Sequence, residues 1–545
     1  MFRLRAPYLT LALVTVLGLI LSACGQAITE TATAESPALP SAAPPSAESQ
    51  PTQAPAVAVS DKYGGILRHA VPPPANLDPA FLGSISDDEI ARQWHDFLVF
   101  IGEDNQPDVD RSLAQKWDVT ADGLKWTFTL RQGVLFHEGK EMTSEDVKFS
   151  FDRLRDPDLG SPSVTLYSNV TSIEAPDKYT VVFNLSSQNP DFLNDLGDLH
   201  GLVVDANATD LKTEFNGTGP FTIEQYIPED RIVFSRNPNY WQLDEEGNQL
   251  PYLDGMEFIF IADDTARVDA LLSGQVDWLI YLPPEYVPEV DENPDTVVYR
   301  QTSNTIWLIH MRSDRKPAGD NLVRQAIKLA TDREALLTAT YQGLGTIALD
   351  TPIGPVYGDF FLDVPPPARD TAKARELLAQ AGYPDGLEID VTCQDRAPVP
   401  TMCTVWKEQL AEAGITANIQ VVPTDIYYGA QNVWMEADFA ITDWGSRSSP
   451  QPYLDLAFVC GAVWNESHWC DAELDEYARL AKTEMDQAKR VEYYHIIQQI
   501  FMERGPIILP FFVDNLYGAN AKLQGIVPPM AFGTGTDLRR VYFEK

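Results

Sequence analysis

Ser112-Leu113-Ala114-Gln115-Lys116-Trp117 runs into Asp122-Gly123-Leu124-Lys125-Trp126-Thr127-Phe128, then Leu130-Arg131-Gln132-Gly133-Val134-Leu135-Phe136-His137, then Thr143-Ser144-Glu145-Asp146-Val147. Asp122-Gly123 reads as a turn between strands. Trp126 to Leu130 alternates aromatic and β-branched residues and reads as a strand. Thr143 can cap a helix over Ser144 to Leu154, whose Val147, Phe151 and Leu154 fall on one face. Phe136-His137 reads as packing rather than chemistry.

Outward from this stretch the same two patterns alternate irregularly. Ile66 to Val71, Tyr179 to Leu185 and Met256 to Ile261 read as strands. Asp370 opens a helix that stops at Gly382, with Pro384 just beyond. Val491, Tyr494, Ile497 and Phe501 form the apolar stripe of a late helix. No repeat appears at solenoid or propeller periods. The body reads as mixed α/β with at least two lobes.

The amino-terminal end carries different information. Arg3 and Arg5 precede the apolar run Leu9 to Leu21, which is too short for a stable span. Leu21-Ser22-Ala23-Cys24 then resembles a bacterial lipoprotein signal, cut before Cys24, whose cysteine becomes diacylated. Residues 24–60 are rich in Ala, Pro, Ser, Thr, Glu and Gln and cannot bury enough surface to offset their ordering entropy. They are expected to form a disordered tether with a root-mean-square span of about 30–35 Å. The expected location is the outer face of the cytoplasmic membrane or the periplasm, with attachment through the lipid on Cys24 alone.

The 545 residues carry a formal charge of −39, which repels nucleic acids and anionic lipid surfaces. Besides Cys24 there are four cysteines, Cys393, Cys403, Cys460 and Cys470. In an oxidising compartment two local disulfides are preferred among three possible pairings. The spacings lack the CxxC form and paired histidines that zinc would call for.

Further blocks extend the pattern: Gly217-Thr218-Gly219-Pro220-Phe221, Arg236-Asn237-Pro238-Asn239-Tyr240-Trp241, Leu272-Ser273-Gly274-Gln275-Val276-Asp277, Val323-Arg324-Gln325-Ala326-Ile327, Asp332-Arg333-Glu334-Ala335-Leu336 and Ala381-Gly382-Tyr383-Pro384. In this order the set resembles the extracellular solute-binding proteins of ABC importers, family 5, the oligopeptide, dipeptide and nickel type. The resemblance implies an α/β, two-lobed clamp like the type II periplasmic binding proteins. It would be of the large, peptide-binding (cluster C) kind, with an extra subdomain in the first lobe. Residues 1–23 would be signal peptide, 61–303 with 514–545 the first lobe and 304–513 the second, with crossings near Ser303 and Asp514. Gly217 and Gly219 are expected to lend backbone freedom to a turn before Pro220.

The implied function is capture of a solute outside the membrane and delivery to ABC permease subunits, by a monomer. The solute could be a peptide, an oligosaccharide or an anionic compound. In peptide-binding relatives a Trp in the strand-and-loop segment Asp438 to Arg447 is followed three residues later by an Asp that pairs with the ligand ammonium. Here Trp444 is followed by Gly445, Ser446 and Arg447. A guanidinium at that place opposes an ammonium and favours carboxylates, phosphonates or hydroxyls. The alternative is that Arg447 pairs with a protein acid. Trp444 is a candidate stacking platform, with plain packing as its alternative. Ser446, Trp307, Tyr427, Tyr428, Ser84 and Ser86 complete the candidate ligand contacts.

No HExxH, GxSxG or Walker loop is present, and no cofactor, metal or catalytic residue is expected. Gly343-Leu344-Gly345 with Ala348 follows a helical segment, so it lacks the strand that a phosphate cradle needs. Asp244-Glu245-Glu246-Gly247-Asn248 reads as a solvated acidic loop. Two rivals share the extracytoplasmic setting: a ligand-sensing subunit for a membrane receptor, and a hydrolase using paired acids.

Overall fold

The computed structural model describes residues 60–530 and 535–545; the expected signal peptide, Cys24 and all but the last residue of the tether lie outside the described residues. Among the described residues no helix is long and apolar enough to cross a membrane.

The quoted stretch forms a compact sheet of its own. Ala114–Val119, Lys125–Leu130, Thr180–Leu185 and Val170–Asp177 pair in that order, all antiparallel. Strand alternation turns Trp126, Phe128 and Leu130 inward. Helix Ser144–Leu154 lays Val147, Phe151 and Leu154 into the same core. Its start is a capping box between Thr143 and Asp146, which satisfies two otherwise orphaned backbone donors. Phe151 and Phe128 meet the Phe183 ring edge-on at 5.4 and 5.5 Å. His137 packs beside this core, its Nε2 3.1 Å from the Gly219 carbonyl.

Gly217 and Gly219 are needed for a different reason than the one expected. Neither has a positive φ. A Cβ on Gly217 would stand 1.6 Å from the Trp94 carbonyl oxygen, and one on Gly219 2.5 Å from the Trp94 carbonyl carbon. Close backbone approach, not turn flexibility, demands glycine here. Asp244 is likewise not solvated: its carboxylate is buried and accepts hydrogen bonds from Tyr252 and from the Glu246 and Asn248 backbone.

The rest of the chain is organised by a 12-stranded sheet. Ten of its strands run in the spatial order Ile415–Val422, Leu387–Gln394, Phe439–Trp444, Thr296–Met311, Phe511–Asn520, Trp278–Leu279, Ile66–Val71, Gly255–Phe260, Arg231–Arg236, Phe221–Ile227, while Gly345–Ile347 pairs with Phe511–Asn520 and Ile507–Ile508 with Thr296–Met311 off this path. The 16-residue strand Thr296–Met311 belongs to both ends of this path. Its first part pairs only with Phe511–Asn520, and its last part, Ile306 to Met311, also pairs with Trp444 to Phe439. Between Thr302 and Thr305 the register slips, opposite Asp514 and Val513. Ser303 Oγ closes the irregularity by donating to the Val513 carbonyl at 2.8 Å. Separate apolar cores lie to either side of this slip. One is built around Trp94, Phe234, Phe258 and Trp278, and others around Trp406, Ile389 and Ile441 and around Tyr453, Tyr494 and Phe501. The architecture is the two-lobed α/β clamp. The late helix, Gln487–Arg504, buries Tyr494, Ile497 and Phe501 as its sequence stripe requires. Asp370 caps Thr371–Gln380 by accepting from the Lys373 amide at 2.8 Å, and Gly382 follows with φ +95°.

Candidate functional site

A cavity of about 750 Å³ takes its walls from both sides of the register slip. Ile85 and Glu89 of helix Ile85–Ala91, Asp264 and residues 280–286 come from before it; Trp307, Tyr341, Arg396 and Asp443 come from after it. The return strand adds Asp514 and Tyr517. Five carboxylates line the space, Glu89, Asp264, Glu285, Asp443 and Asp514. Among the described residues the only cation on its walls is Arg396. A cleft lined by one sign of charge concentrates ligands of the other.

Arg396 is held by three neighbours. Its guanidinium donates to Asp443 Oδ1 at 2.6 Å, and its carbon centre lies 5.3 Å from the centre of the Trp307 ring. Asp443 also accepts from the Tyr428 hydroxyl at 2.8 Å. Trp307 is oriented in turn by its Nε1, which donates to the Tyr341 hydroxyl at 2.6 Å. Burial opposes the charge on Arg396, but Asp443 outweighs it and raises the guanidinium's affinity for its proton.

The position of Arg396 is set by a covalent clamp. Cys393, near the end of strand Leu387–Gln394, is bonded to Cys403 in helix Val399–Glu412, and Arg396 sits inside that ten-residue loop. Both sulfurs are buried in the surrounding core. Half-buried Cys460 is bonded to exposed Cys470, on a loop whose Cys460 amide donates to Asp475 at 2.9 Å. Local pairing is therefore the arrangement in the structure.

A smaller cavity of about 380 Å³ shares Arg396, Asp443 and Gly445 with the first. Trp444, Arg447, Tyr428, Trp434 and Trp464 line it. Trp444 is buried and tilted against Tyr453 and Trp464, at 6.1 and 5.6 Å. Arg447 is half-buried. Among the described residues no carboxylate lies within ion-pair distance of it, so the internal salt bridge weighed from the sequence does not form. Its field reaches Asp198: burial pushes that carboxyl up, but His200 and, more weakly, Arg447 hold it below its usual range.

The sequence candidates thus divide. Trp307 lines the larger cavity; Trp444, Arg447 and Tyr428 line the smaller one. Ser446, Tyr427, Ser84 and Ser86 line neither. Ser446 Oγ accepts from the Asn304 amide at 3.2 Å beside the register slip. Tyr427 is fully buried and donates to the Ile441 carbonyl. Ser84 caps helix Ile85–Ala91 by accepting from the Asp87 amide at 3.1 Å, and Ser86 is buried in its first turn. Glu89, Arg396, Asp443 and Asp514 were missed. Two local signals existed: Arg396 is the only cation inside a ten-residue cysteine spacing, and Asp443 is the penultimate residue of strand Phe439–Trp444, directly before the candidate Trp444.

Comparison with known proteins places these features in context. The sequence profile of the bacterial extracellular solute-binding proteins, family 5 Middle, matches residues 108–465. Di/tripeptide-binding protein 1 of Pseudomonas aeruginosa is 30% identical over 471 residues, covering 80% of this chain and 86% of its own. Glutathione-binding protein GsiB of Salmonella typhi is 27% identical, over 84% of this chain and 91% of its own. Among solved structures, the ABC transporter-associated periplasmic binding protein DppA of Helicobacter pylori, in complex with the peptide STSA, superposes with a TM-score of 0.72. It is 25% identical and covers 89% of this chain and 99% of its own.

Proposed function

The chain belongs to the bacterial extracellular solute-binding proteins, family 5, and from that premise we propose that it captures a short peptide through the peptide's free ammonium group. It is the solute-binding component of an ABC importer, taking its solute outside the membrane and passing it to the permease. The observation that carries the peptide reading is the lining of the larger cavity, with five carboxylates and one guanidinium. Asp443 and Arg396 together offer both charges that a zwitterionic peptide presents, a carboxylate for its ammonium and a guanidinium for its carboxylate. The names of relatives that bind dipeptides, tripeptides or glutathione point the same way.

This reading displaces the preference for an anionic or sugar ligand that Arg447 suggested. Arg447 faces the smaller cavity, and the acids around the larger one set its sign. Trp307, Trp444 and Tyr428 serve as aromatic walls. The chain acts as a monomer, tethered by residues 24–60 to a lipid on Cys24. Its first lobe is 61–303 with 514–545 and its second 304–513. The slip between Thr302 and Thr305 supports a hinge there, because two strands with an unpaired step bend more easily than a continuous ladder. Ligand contacts made only when the lobes approach would drive closure.

Calorimetry tests the reading, using protein freed of carried-over small molecules by unfolding and refolding. Unmodified dipeptides and tripeptides should bind in the micromolar range or tighter, and their N-acetyl forms about tenfold or more weaker. Tighter binding of N-acetyl peptides or of a neutral disaccharide would sink it.

A further inference from the structure

Glu89 is the one acid on the cavity wall whose carboxylate is fully buried yet incompletely partnered. Its Oε1 accepts from the Thr536 amide and hydroxyl at 2.8 and 3.0 Å, which fixes the group's orientation. Its Oε2 has no hydrogen-bond partner among the described residues. Opposite it stands His69 Nε2, 4.0 Å away and equally without a hydrogen-bond partner among the described residues. His69 Nδ1 lies 3.1 Å from the Trp278 carbonyl, an oxygen that can only accept, so the ring proton sits on Nδ1 and Nε2 presents a lone pair. When Glu89 is ionised, two acceptors therefore face each other in a dry wall with no donor between them. Buried polar atoms are almost always satisfied, and one left open beside a cavity marks a place for a ligand group.

Resting on the reading of the cavity as a peptide site, we propose that Glu89 Oε2 receives a second positively charged group of the ligand, so that Glu89 selects peptides bearing a basic side chain. Asp443 is already engaged by Arg396 and Tyr428, and Asp264 by Arg267. Glu89 holds an unused acceptor facing a second one, so a donor arriving there gains hydrogen bonds without breaking any protein pair. On the Glu89 helix Arg92 is paired with both oxygens of Asp88 at 2.8 Å. On strand Ile66–Val71, His69 is held neutral, pushed down to about 3 by burial, with Arg267 opposing its protonation further. Tyr517 and Asp514 face the cavity from the return strand. Burial pushes the Glu89 carboxyl up to about 7, with Arg92 drawing it down and Asp88 driving it up. At neutral pH the empty site is thus partly protonated, and a cationic group entering it displaces that proton.

Calorimetry with Ala-Ala, Ala-Lys and Lys-Ala tests this on the wild type and on Glu89→Gln, which keeps the shape and the Thr536 contacts. The wild type should prefer at least one of the lysine dipeptides to Ala-Ala by about tenfold, and Glu89→Gln should erase that preference. The wild type alone gives a second readout that needs no variant. Measured at pH 7 in two buffers of different ionisation heat, the preferred lysine dipeptide should release measurably more protons than Ala-Ala. Equal affinity for all three dipeptides, or a preference that survives in Glu89→Gln, would overturn the assignment of Glu89 while leaving the peptide site standing. Failure of the wild type to bind any of the three would overturn the peptide reading and this inference with it.

Discussion

On the wall built after the register slip, Arg396 donates to Asp443 at 2.6 Å, lies over Trp307 and sits inside a disulfide-closed loop. On the wall built before it, Glu89 is pinned through one oxygen while the other faces a histidine lone pair across 4.0 Å. The first charge is partnered within the protein and is partly open to solvent. The second is dry and incomplete. A paired charge can be exchanged for a ligand charge at small net gain, because one ion pair replaces another. An orphaned acceptor gains the full interaction, since nothing must be given up. The Arg396 wall is therefore suited to recognising what all peptides share, and the Glu89 wall to telling peptides apart.

The largest effect that would break this contrast lies on the paired side. Arg396→Ala should weaken dipeptide binding by about 2–5 kcal/mol, because it frees Asp443 and removes the partner for the ligand carboxylate. Calorimetry should show a similar loss for every dipeptide; a loss confined to lysine dipeptides would mean the two walls have been assigned the wrong way round.

Next in size is the clamp behind Arg396. Replacing Cys393 and Cys403 by Ala should lower unfolding stability by about 2–3 kcal/mol through the freed loop, seen in urea titration. Dipeptide affinity should fall with it, and the preference for lysine should persist. The same exchange at Cys460 and Cys470 should lower stability but leave dipeptide affinity nearly unchanged, since that loop does not line the larger cavity and reaches only the smaller one, through Trp464. Non-reducing peptide mapping of the exported protein checks that both pairs are local.

The pH dependence of stability sharpens the other side. A carboxyl whose folded value lies above its unfolded one holds its proton more tightly when folded. Its contribution is full below the unfolded value of about 4.5 and is lost as pH rises through the folded value of about 7. Buried Asp195, pushed up to about 8, has the same sign. His69 and His95, pushed down to about 3, have the opposite sign but act only below their unfolded value of 6.5. Between pH 7 and 8 Glu89 and Asp195 make stability fall, opposed by buried Lys328, which burial pushes down to about 8, so the Glu89 part is read from the difference between wild type and variant. Glu89→Gln removes one of the two acids, so it should match the wild type near pH 4 and exceed it by about 3 kcal/mol at pH 8. Identical urea midpoints at pH 8 would show that Glu89 already has a partner.

The smallest effect is expected at Arg447. Half-buried, without an ion-pair partner among the described residues and facing the smaller cavity, it should change dipeptide affinity by less than about 1 kcal/mol when replaced by Ala. A larger loss in calorimetry would move the ammonium-opposing residue back into the site.

Much of the fold was legible in short windows. The capping box at Thr143, the alternation of Trp126, Phe128 and Leu130, and the stop at Gly382 are set by neighbours a few residues away, and each formed where its pattern lay. For the four cysteines the sequence offered only a preference for local pairing among three possibilities, and the structure has the local pairs. The site was legible only in part. Trp307, Trp444 and Tyr428 reached a cavity, but Tyr427 turned inward to the Ile441 carbonyl and Ser84 was used up as a helix cap. Whether a tyrosine or serine meets solvent or backbone depends on the next layer of packing, which no local pattern encodes.

What the sequence determined by itself was the class of protein, through an ordered set of blocks, and its strongly acidic charge. What tertiary structure alone decided was the chemistry of the cavity. Glu89, Arg396, Asp443 and Asp514 are hundreds of residues apart in places and meet because one 16-residue strand joins both cores. The difference between the charge that is paired and the charge left open is a matter of distances between such segments. Coulomb and hydrogen-bond energies change steeply over an ångström or two, and only the packed fold sets separations on that scale.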